Sequence, residues 1–464
     1  MSDYPPSGTG VLSAADERCN VAYVYVISAV AAVGGLLFGF DTAIIAGAIE
    51  FVRVEFHLNP HQEGFAVSSL LIGCIVGAGA AGTLSDRVGR KKVLIATSAF
   101  YVLSAVLAAL PHSLTQLVGA RFLGGLAVGV SSMVAPLYIA EIAPARIRGR
   151  LVTLNQMAIV TGILLADVVS WLLEGIGDAN WRWMFASAAL PAIMLLIGLL
   201  FVPESPRWLA KAGQHGRALA ILATIGGRRH AESEMAEIES VLAEETGSLW
   251  ELFGRRFRLA LVIGIVLAVL GQVTGINTVI YYAPKIFMTA GFEKASAAMW
   301  ASVLVGITNF ISTIVALWLI DKVGRRPLLL FGPAGMGVAL VLAGIFLTAE
   351  RVPAAAKVAI ILAYIVSFAI GVGGTVWVVI SEIFPTKIRG RAVSLAVVSV
   401  WTACFAVAQT FPYLIETFGQ RSFWIYAVMC AVMCLFVFFV LPETKGESLE
   451  QIERMWKRRT TLRA

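Results

Sequence analysis

Long apolar segments recur along the chain, and each is about as long as a helix that crosses a lipid bilayer. A hydrocarbon core about 30 Å thick requires roughly 20 helical residues. The pattern therefore predicts an all-α membrane protein with twelve transmembrane helices. The predicted spans are Val21–Ile49, Phe65–Ser85, Val93–Leu110, Leu114–Ile142, Leu151–Leu173, Trp183–Val202, Leu259–Ala290, Ala295–Ile320, Leu328–Leu347, Ala354–Ile383, Ala392–Ile415 and Phe423–Leu441.

Polar segments divide these spans into two sets of six. The one long polar stretch, Pro203 to Arg258, contains the short amphipathic segments Gln214–Ile225 and Glu232–Glu245, which are typical of small surface helices. Met1–Asn20 lacks the pattern of a removable signal peptide. The predicted divisions are an N-terminal segment (1–20), a six-helix bundle (21–202), a helical linker domain (203–258), a second six-helix bundle (259–441) and a tail (442–464).

Composition and charge agree with a membrane protein and give it an orientation. Residues are 58% hydrophobic and 14% charged, whereas soluble chains carry about 25% charged residues. Of the 36 Lys and Arg, one lies deep inside a span, seven lie near or beyond the span ends on one side, and the other 28 lie on the opposite side. Lys and Arg concentrate on the cytoplasmic side, so both termini and the linker are predicted to be cytoplasmic. This arrangement accounts for the net charge of +7 without a nucleic-acid partner.

An internal duplication relates the two bundles. Asp86–Lys92 recurs as Asp321–Pro327, and Glu141–Arg150 recurs as Glu382–Arg391, at offsets of 235 and 241 residues. Corresponding loops lie on the same side, so the halves are parallel repeats. In such folds the substrate site lies in the seam between the halves near the midplane, and rocking of the halves exposes it to each side in turn.

The duplicated loops carry acids and bases at the predicted cytoplasmic ends of the spans. We predict that they form a salt-bridge network across that face and hold it shut when the outside is open. Exposed pairs contribute only about 0–1 kcal/mol each, but a network that breaks in one state biases a balanced equilibrium. The alternative is that the charges only set topology. The residues are Asp86, Arg90, Glu141, Arg148, Asp321, Arg325, Glu382 and Arg389.

Across nearly its whole length the chain resembles the sugar porter family of the major facilitator superfamily. The motifs that carry the resemblance are Gly39–Asp41, Asp86–Lys92, Arg121–Gly125, Pro136–Tyr138 with Glu141 and Arg148–Arg150, Pro203–Trp208, Gly275–Asn277 with Tyr281 and Tyr282, and Pro442–Thr444. The resemblance implies transport of a monosaccharide (hexose or pentose) or a polyol, by a chain that functions as a monomer in the cell membrane. It also implies that the linker forms an intracellular helical domain that latches the halves.

Asp41 and Arg121 are the predicted proton-coupling pair. Asp41 lies deep in the first span, where a carboxylate costs about 2.5–3.5 kcal/mol on insertion scales, and Arg121 is the basic residue inside a span. A carboxylate that is paired in one state and desolvated in the other changes its proton affinity. By resemblance, proton-coupled sugar porters carry this Asp and Arg, whereas passive carriers have an amide at the Asp position. The alternative is a structural ion pair between spans one and four.

Amides and aromatic rings inside the spans are the candidates for sugar binding, since they match the hydroxyls and the weakly polar ring face of a sugar. The default role of such an amide is a hydrogen bond between helices. By resemblance, the substrate-binding residues are Gln156, Gln272, Asn277, Asn309 and Trp377, and Tyr281 and Tyr282 form a gate. Gly271, Val400 and Ile163 depart from residues frequent in the family, which leaves the identity of the sugar open.

Asp167 is a second carboxylate inside a span, with no corresponding family motif. It either lines the outer half of the cavity or lies near the interface as solvated structure. No metal-ligating cluster, cofactor motif or nucleophile–base arrangement is predicted, so an enzyme is disfavoured. The predicted function is proton-coupled sugar symport. Its alternatives are a passive uniporter, a non-transporting sugar sensor, which the short tail disfavours, and a drug–proton antiporter, which the duplicated Glu141 and Glu382 motifs disfavour.

Overall fold

The computed structural model describes residues 20–244, 254, 258–384, 389–443 and 445. Regular structure in these ranges is helical throughout, with no strand. The N-terminal half contains α1 (Val21–Glu55), α2 (Pro60–Val88), α3 (Arg90–Ala109), α4 (Leu114–Ile142), α5 (Arg148–Leu173), α6 (Asn180–Ser187) and α7 (Ala189–Phe201). The linker contains α8 (Pro206–Lys211) and α9 (His215–Glu244). The C-terminal half contains α10 (Arg258–Val273), α11 (Ile276–Thr289), α12 (Ala295–Val323), α13 (Arg325–Phe346), α14 (Ala354–Phe368), α15 (Thr375–Ile383), α16 (Arg389–Phe418) and α17 (Ser422–Val440).

The predicted all-α membrane fold is confirmed. Eleven described segments are long and apolar enough to cross a membrane, and the last of them, Gly390–Val440, contains most of α16 and all of α17. Those two helices are joined by a 3-10 turn at Gly419–Arg421, so the segment accounts for the last two predicted spans. The predicted N-terminal segment before Asn20, the end of the linker and most of the tail lie outside the described residues.

Several predicted spans are not single straight helices. The sixth divides into α6 and α7, and the seventh divides into α10 and α11 at Gly275, whose φ of +94° is left-handed and favours glycine. In the tenth, a π-helical turn at Ala369–Gly373 separates α14 from α15. Such turns are frequent at functional sites. In the linker, α9 covers most of both predicted surface helices and is interrupted at Gly227.

The two halves meet along a seam of three helix pairs, in which α2 packs against α16, α5 against α12 and α1 against α11. The duplication relates α2 to α12 and α5 to α16, so the first two contacts are equivalent under the repeat. We call the end of the bundle that carries α8 the linker side and the opposite end the distal side.

On the linker side, the duplicated motifs give α3 and α13 the same N-terminal arrangement, a glycine with positive φ and a capping glutamate. Gly89 precedes α3 with φ +106°, and Gly324 precedes α13 with φ +102°. The Glu204 carboxylate accepts a hydrogen bond from the Lys91 amide at 3.0 Å, and Glu443 accepts equivalent bonds from two amides at the start of α13. A carboxylate at a helix N-terminus satisfies free N–H groups and complements the helix dipole.

Candidate functional site

Asp41 of α1 and Arg121 of α4 form a buried ion pair inside the N-terminal half. Arg121 Nη1 donates to the Asp41 carboxylate at 3.3 Å and to the Asp41 carbonyl at 2.9 Å. The Arg121 guanidinium also lies over the Phe185 ring, 5.5 Å from its centroid. The two predicted residues are therefore in contact, and their side chains are 9% and 1% exposed.

Each member of this pair keeps an unused polar atom. Asp41 Oδ2 and Arg121 Nε are buried and have no hydrogen-bond partner among the described residues. Gly124 faces the free oxygen, since a Cβ built there would lie 2.7 Å from Oδ2. Buried polar atoms are normally hydrogen-bonded. The Asp41 carboxylate accepts a hydrogen bond from Arg121 through Oδ1 only, so Oδ2 is available to bind a proton.

The seam passes close to the ion pair. Phe38 lies one helical turn before Asp41 on α1, and its ring centroid is 5.3 Å from that of Trp401 on α16 in the other half. The Trp401 indole N–H is buried without a described acceptor. The region therefore combines an apolar surface with a free donor next to the charged pair.

The predicted substrate-binding residues lie in different surroundings. Asn277 Nδ2 donates to Gln272 Oε1 at 2.7 Å across the break between α10 and α11. Asn309 of α12 is buried and lines a small cavity at the seam together with Asp167. Gln156 is half-buried on α5 and makes no hydrogen bond to the described residues, and Trp377 of α15 is 37% exposed.

The two predicted gate tyrosines tie α11 to α16. The Tyr282 hydroxyl donates to the Ala408 carbonyl at 2.9 Å, and the Tyr281 hydroxyl lies 3.5 Å from Cys404 Sγ. Both tyrosines are buried. Pro284 follows within α11, and Tyr282 itself has non-helical backbone angles. The tyrosines therefore stand at a kink on the helix that faces α1 across the seam.

On the distal side, a set of contacts that the sequence analysis missed joins the halves. Glu63 of α2 and Lys285 of α11 form an ion pair at 2.5 Å. Gln409 of α16 accepts from the Ser68 hydroxyl at 2.6 Å and donates to the His61 carbonyl at 3.1 Å. These distal contacts, with the stacked rings of His61 and Tyr413 and the adjacent rings of Trp171 and Trp300, close that end of the seam.

The linker-side charges predicted to form a network are paired within each half in this structure, whose distal side is closed. Arg90 makes two hydrogen bonds of 3.0 Å to Glu141 and one ion pair of 3.0 Å to Asp86. The equivalent Arg325 lies 3.0 Å from Glu382 and 3.5 Å from Asp321. These pairs hold helices together within one half and do not cross the seam, because each arginine begins its helix and faces the glutamate near the end of another helix of the same half.

Two members of the predicted network form ion pairs with the linker. Asp86 pairs with Lys211 of α8 at 2.9 Å, and Arg148 pairs with Glu234 of α9 at 3.2 Å. The predicted partner Arg389 begins α16, but its side chain lies outside the described set. The described parts of the chain contain no cluster of three or more His, Cys, Asp or Glu able to hold a metal ion.

Comparison with known proteins identifies this arrangement. A family profile described as "Sugar (and other) transporter" matches residues 27–456. The arabinose-proton symporter of Bacillus subtilis (strain 168) is 41% identical over 445 residues, which cover 94% of this chain and 96% of that protein. The D-xylose-proton symporter of Escherichia coli (strain K12) is 37% identical over 488 residues, which cover 96% and 98%. A solved structure of the xylose transporter XylE from E. coli, in a partially occluded inward open conformation, matches with a TM-score of 0.83 and 35% identity over 92% of this chain and 100% of that one. The chain therefore belongs to the sugar porter family of the major facilitator superfamily of membrane transporters.

Proposed function

We propose that this protein transports a monosaccharide, a hexose or pentose, or a polyol together with a proton by alternating access. The observation that carries the proposal is the buried Asp41–Arg121 pair, in which the carboxylate keeps one oxygen without a partner. Protonation of Asp41 removes the attraction to Arg121 and lets α1 move relative to α4. Relatives named as arabinose-, xylose- and galactose-proton symporters support the same activity.

Sugar recognition is assigned to the amides and rings near the seam. Gln272, Asn277 and Asn309 of the C-terminal half and Gln156 of the N-terminal half bind hydroxyls, and Trp377 supports the sugar ring. Tyr281 and Tyr282 act as a gate, since they stand at the kink of α11. Coupling then resides in one half and recognition mainly in the other.

We propose that the linker side is cytoplasmic and the distal side extracellular or periplasmic, following the excess of Lys and Arg on the linker side. Segments 1–20, 203–258 and 442–464 then lie in the cytoplasm, and bundles 21–202 and 259–441 rock against each other in the cell membrane. A monomer suffices, because both halves of the site belong to one chain. The linker-side pairs stiffen each half, and those of Asp86 and Arg148 connect the N-terminal half to α8 and α9.

The Asp41→Asn variant tests the proposal in proteoliposomes. A proton moving through 100 mV supplies about 2.3 kcal/mol, which at 1.36 kcal/mol per decade drives roughly 50-fold accumulation. We expect the variant to exchange labelled sugar for unlabelled sugar but to lose accumulation and sugar-driven proton uptake. Asp178→Asn, which removes an exposed distal carboxylate, is the control and should accumulate normally. Unimpaired accumulation by Asp41→Asn would refute the assignment of the coupling residue.

A further inference from the structure

Asp167 is a buried carboxylate that the proposed transport cycle does not use. It lies on the face of α5 that packs against α12, and it is 8% exposed. No hydrogen bond or ion pair joins its side chain to any residue in the described ranges. Gly306 of α12 leaves room for the carboxylate, because a Cβ there would lie 2.7 Å from Asp167 Oδ2. The carboxylate therefore crosses the seam into the surface of the other half.

The surroundings of Asp167 supply no compensating charge. The cavity that it lines is mostly aliphatic, and Ser302 and Asn309 are its other polar side chains. The Ser302 hydroxyl is already donated to the Ala298 carbonyl at 3.1 Å. Asp167 is the only titratable residue lining that cavity within the described parts of the chain.

Charged and titratable groups on the helices packed around Asp167 are engaged elsewhere. On α1, α4 and α6 the charged groups are Asp41 with Arg121, Glu50 with Arg53, Glu55 with Arg182, and Glu141 with Arg90. The Tyr138 hydroxyl of α4 donates to the Pro203 carbonyl, and Tyr23 and Tyr25 lie at the start of α1 on the linker side. On α11 and α14 they are Lys285 with Glu63, Lys357 with the Ala290 carbonyl, Tyr281 with Cys404, Tyr282 with the Ala408 carbonyl, and Tyr364 with the Thr274 carbonyl. Glu174 stands in the distal turn after α5, and the charges of α5 and α12 themselves lie near their ends.

An ionised carboxylate in this position is unfavourable. Burying a charge without a partner costs several kcal/mol, whereas a neutral acid is far less costly to bury. Asp41 is also buried, but its negative charge is compensated by the ion pair with Arg121. The α5–α12 contact joins the two halves, so it separates when the distal side opens in an alternating-access cycle. Water then reaches Asp167 and stabilises its ionised form.

We propose that Asp167 is a second proton-binding residue, which takes up a proton from the distal side before the seam between α5 and α12 closes. The proposal rests on the alternating access of the proposed function. The proton binds to the carboxylate from water and returns to the same side when the seam reopens. It is therefore not carried across the membrane, and the number of protons transported per cycle is unchanged. Asp167 thus makes distal closure favourable at low pH on that side and unfavourable at high pH.

Double electron–electron resonance, which measures distances between two spin labels, tests the role of Asp167 in the absence of sugar. Nitroxide labels are placed on Cys introduced at Asp178 and Glu293, which are exposed at the distal ends of the two halves, in a background whose native cysteines are replaced by serine. The parent should shift toward the short distal distance as the pH falls from 8.5 to 5. Asp167→Asn should hold the short distance at every pH, and Asp167→Glu should restore the pH response.

Control variants separate the possible outcomes. Ser302→Ala should keep the pH-dependent closure, since it changes a polar side chain of the same cavity without removing the Asp167 carboxylate. Asp167→Leu, which removes hydrogen bonding as well as charge, should also stay closed at every pH. A pH response in Asp167→Asn equal to that of the parent would overturn the proposal, and if sugar affinity fell at the same time, Asp167 would instead be a hydroxyl acceptor. Because no sugar is present, failure of the parent to transport sugar would refute the proposed function and leave this result intact.

Discussion

Two carboxylates in the N-terminal half show how neighbours decide the role of a buried acid. Asp41 faces Arg121 and has one oxygen bonded, whereas Asp167 faces a glycine and aliphatic side chains of the other half. The contact between Asp41 and Arg121 could be predicted from the sequence. Arg121 is the basic residue deep inside a span of the same half, and few other acidic residues in the spans could pair with it. The surroundings of Asp167 could not, since they come from α12, well over 100 residues away.

The pairing of Asn277 with Gln272 gives a prediction at the same scale. Asn277→Ala removes a donor that now holds Gln272 at 2.7 Å and is proposed to bind a sugar hydroxyl. A hydrogen bond contributes about 0.5–1.5 kcal/mol net, so we expect KM for sugar uptake to rise roughly 2- to 12-fold. Proton coupling should survive, because Asp41 is unchanged. Initial rates at varied sugar concentration measure the effect.

Gln116→Ala is a matched control for that experiment. Gln116 is an exposed amide in the first turn of α4, and it accepts a hydrogen bond from the His112 backbone. Its removal should leave KM within error of the parent. Equal KM values for the parent and Asn277→Ala would exclude Asn277 from the sugar site.

At the scale of helices, glycine before α3 and α13 and a glutamate from the end of each half form one repeated unit. Gly89 has φ +106°, and a Cβ on it would overlap the Glu204 carboxylate that caps α3. The sequence repeat predicted that these loops correspond, but the capping role of Glu204 and Glu443 depends on two segments more than 100 residues apart meeting at a helix start. The break in span seven was likewise not predicted, because the apolar residues on both sides of Gly275 form one long segment in the sequence.

Gly89→Ala tests this unit. A left-handed backbone costs a residue with a Cβ about 1–2 kcal/mol, and a lost N-terminal cap costs about 0.5–2 kcal/mol. We expect a lower thermal unfolding midpoint in detergent than for the parent. Gly82→Ala is the control, since Gly82 lies within α2 and a Cβ there meets nothing within 4 Å. Alanine favours a helix over glycine by about 1 kcal/mol, so this variant should be as stable as the parent or more so, and equal destabilisation of both would contradict the capping role.

For the whole molecule, the distal contacts decide which end of the seam is closed. Glu63 and Lys285 are 222 positions apart along the chain and belong to different halves. Neither lies in a motif that marks a functional residue, so the sequence could not pair them. The parallel relation of the two halves was predictable, because the duplication is a global property of the sequence. Which end of the seam is closed could not be predicted, because it depends on the balance between the contacts at the distal end and those at the linker end.

Breaking the Glu63–Lys285 pair is expected to open the distal side. Removing one partner of a buried pair costs about 3–5 kcal/mol, and because the Lys285 side chain is 18% exposed, we expect the lower end of that range. Glu63→Gln should therefore lengthen the Asp178–Glu293 label distance at neutral pH, and the reversed pair Glu63→Lys with Lys285→Glu should shorten it again. Glu50→Gln breaks a distal pair with Arg53 that lies entirely within α1, so it should leave the distance unchanged. If Glu63→Gln gives the same distance distribution as the parent, the pair does not hold the seam, and the aromatic and amide contacts beside it carry the closure instead.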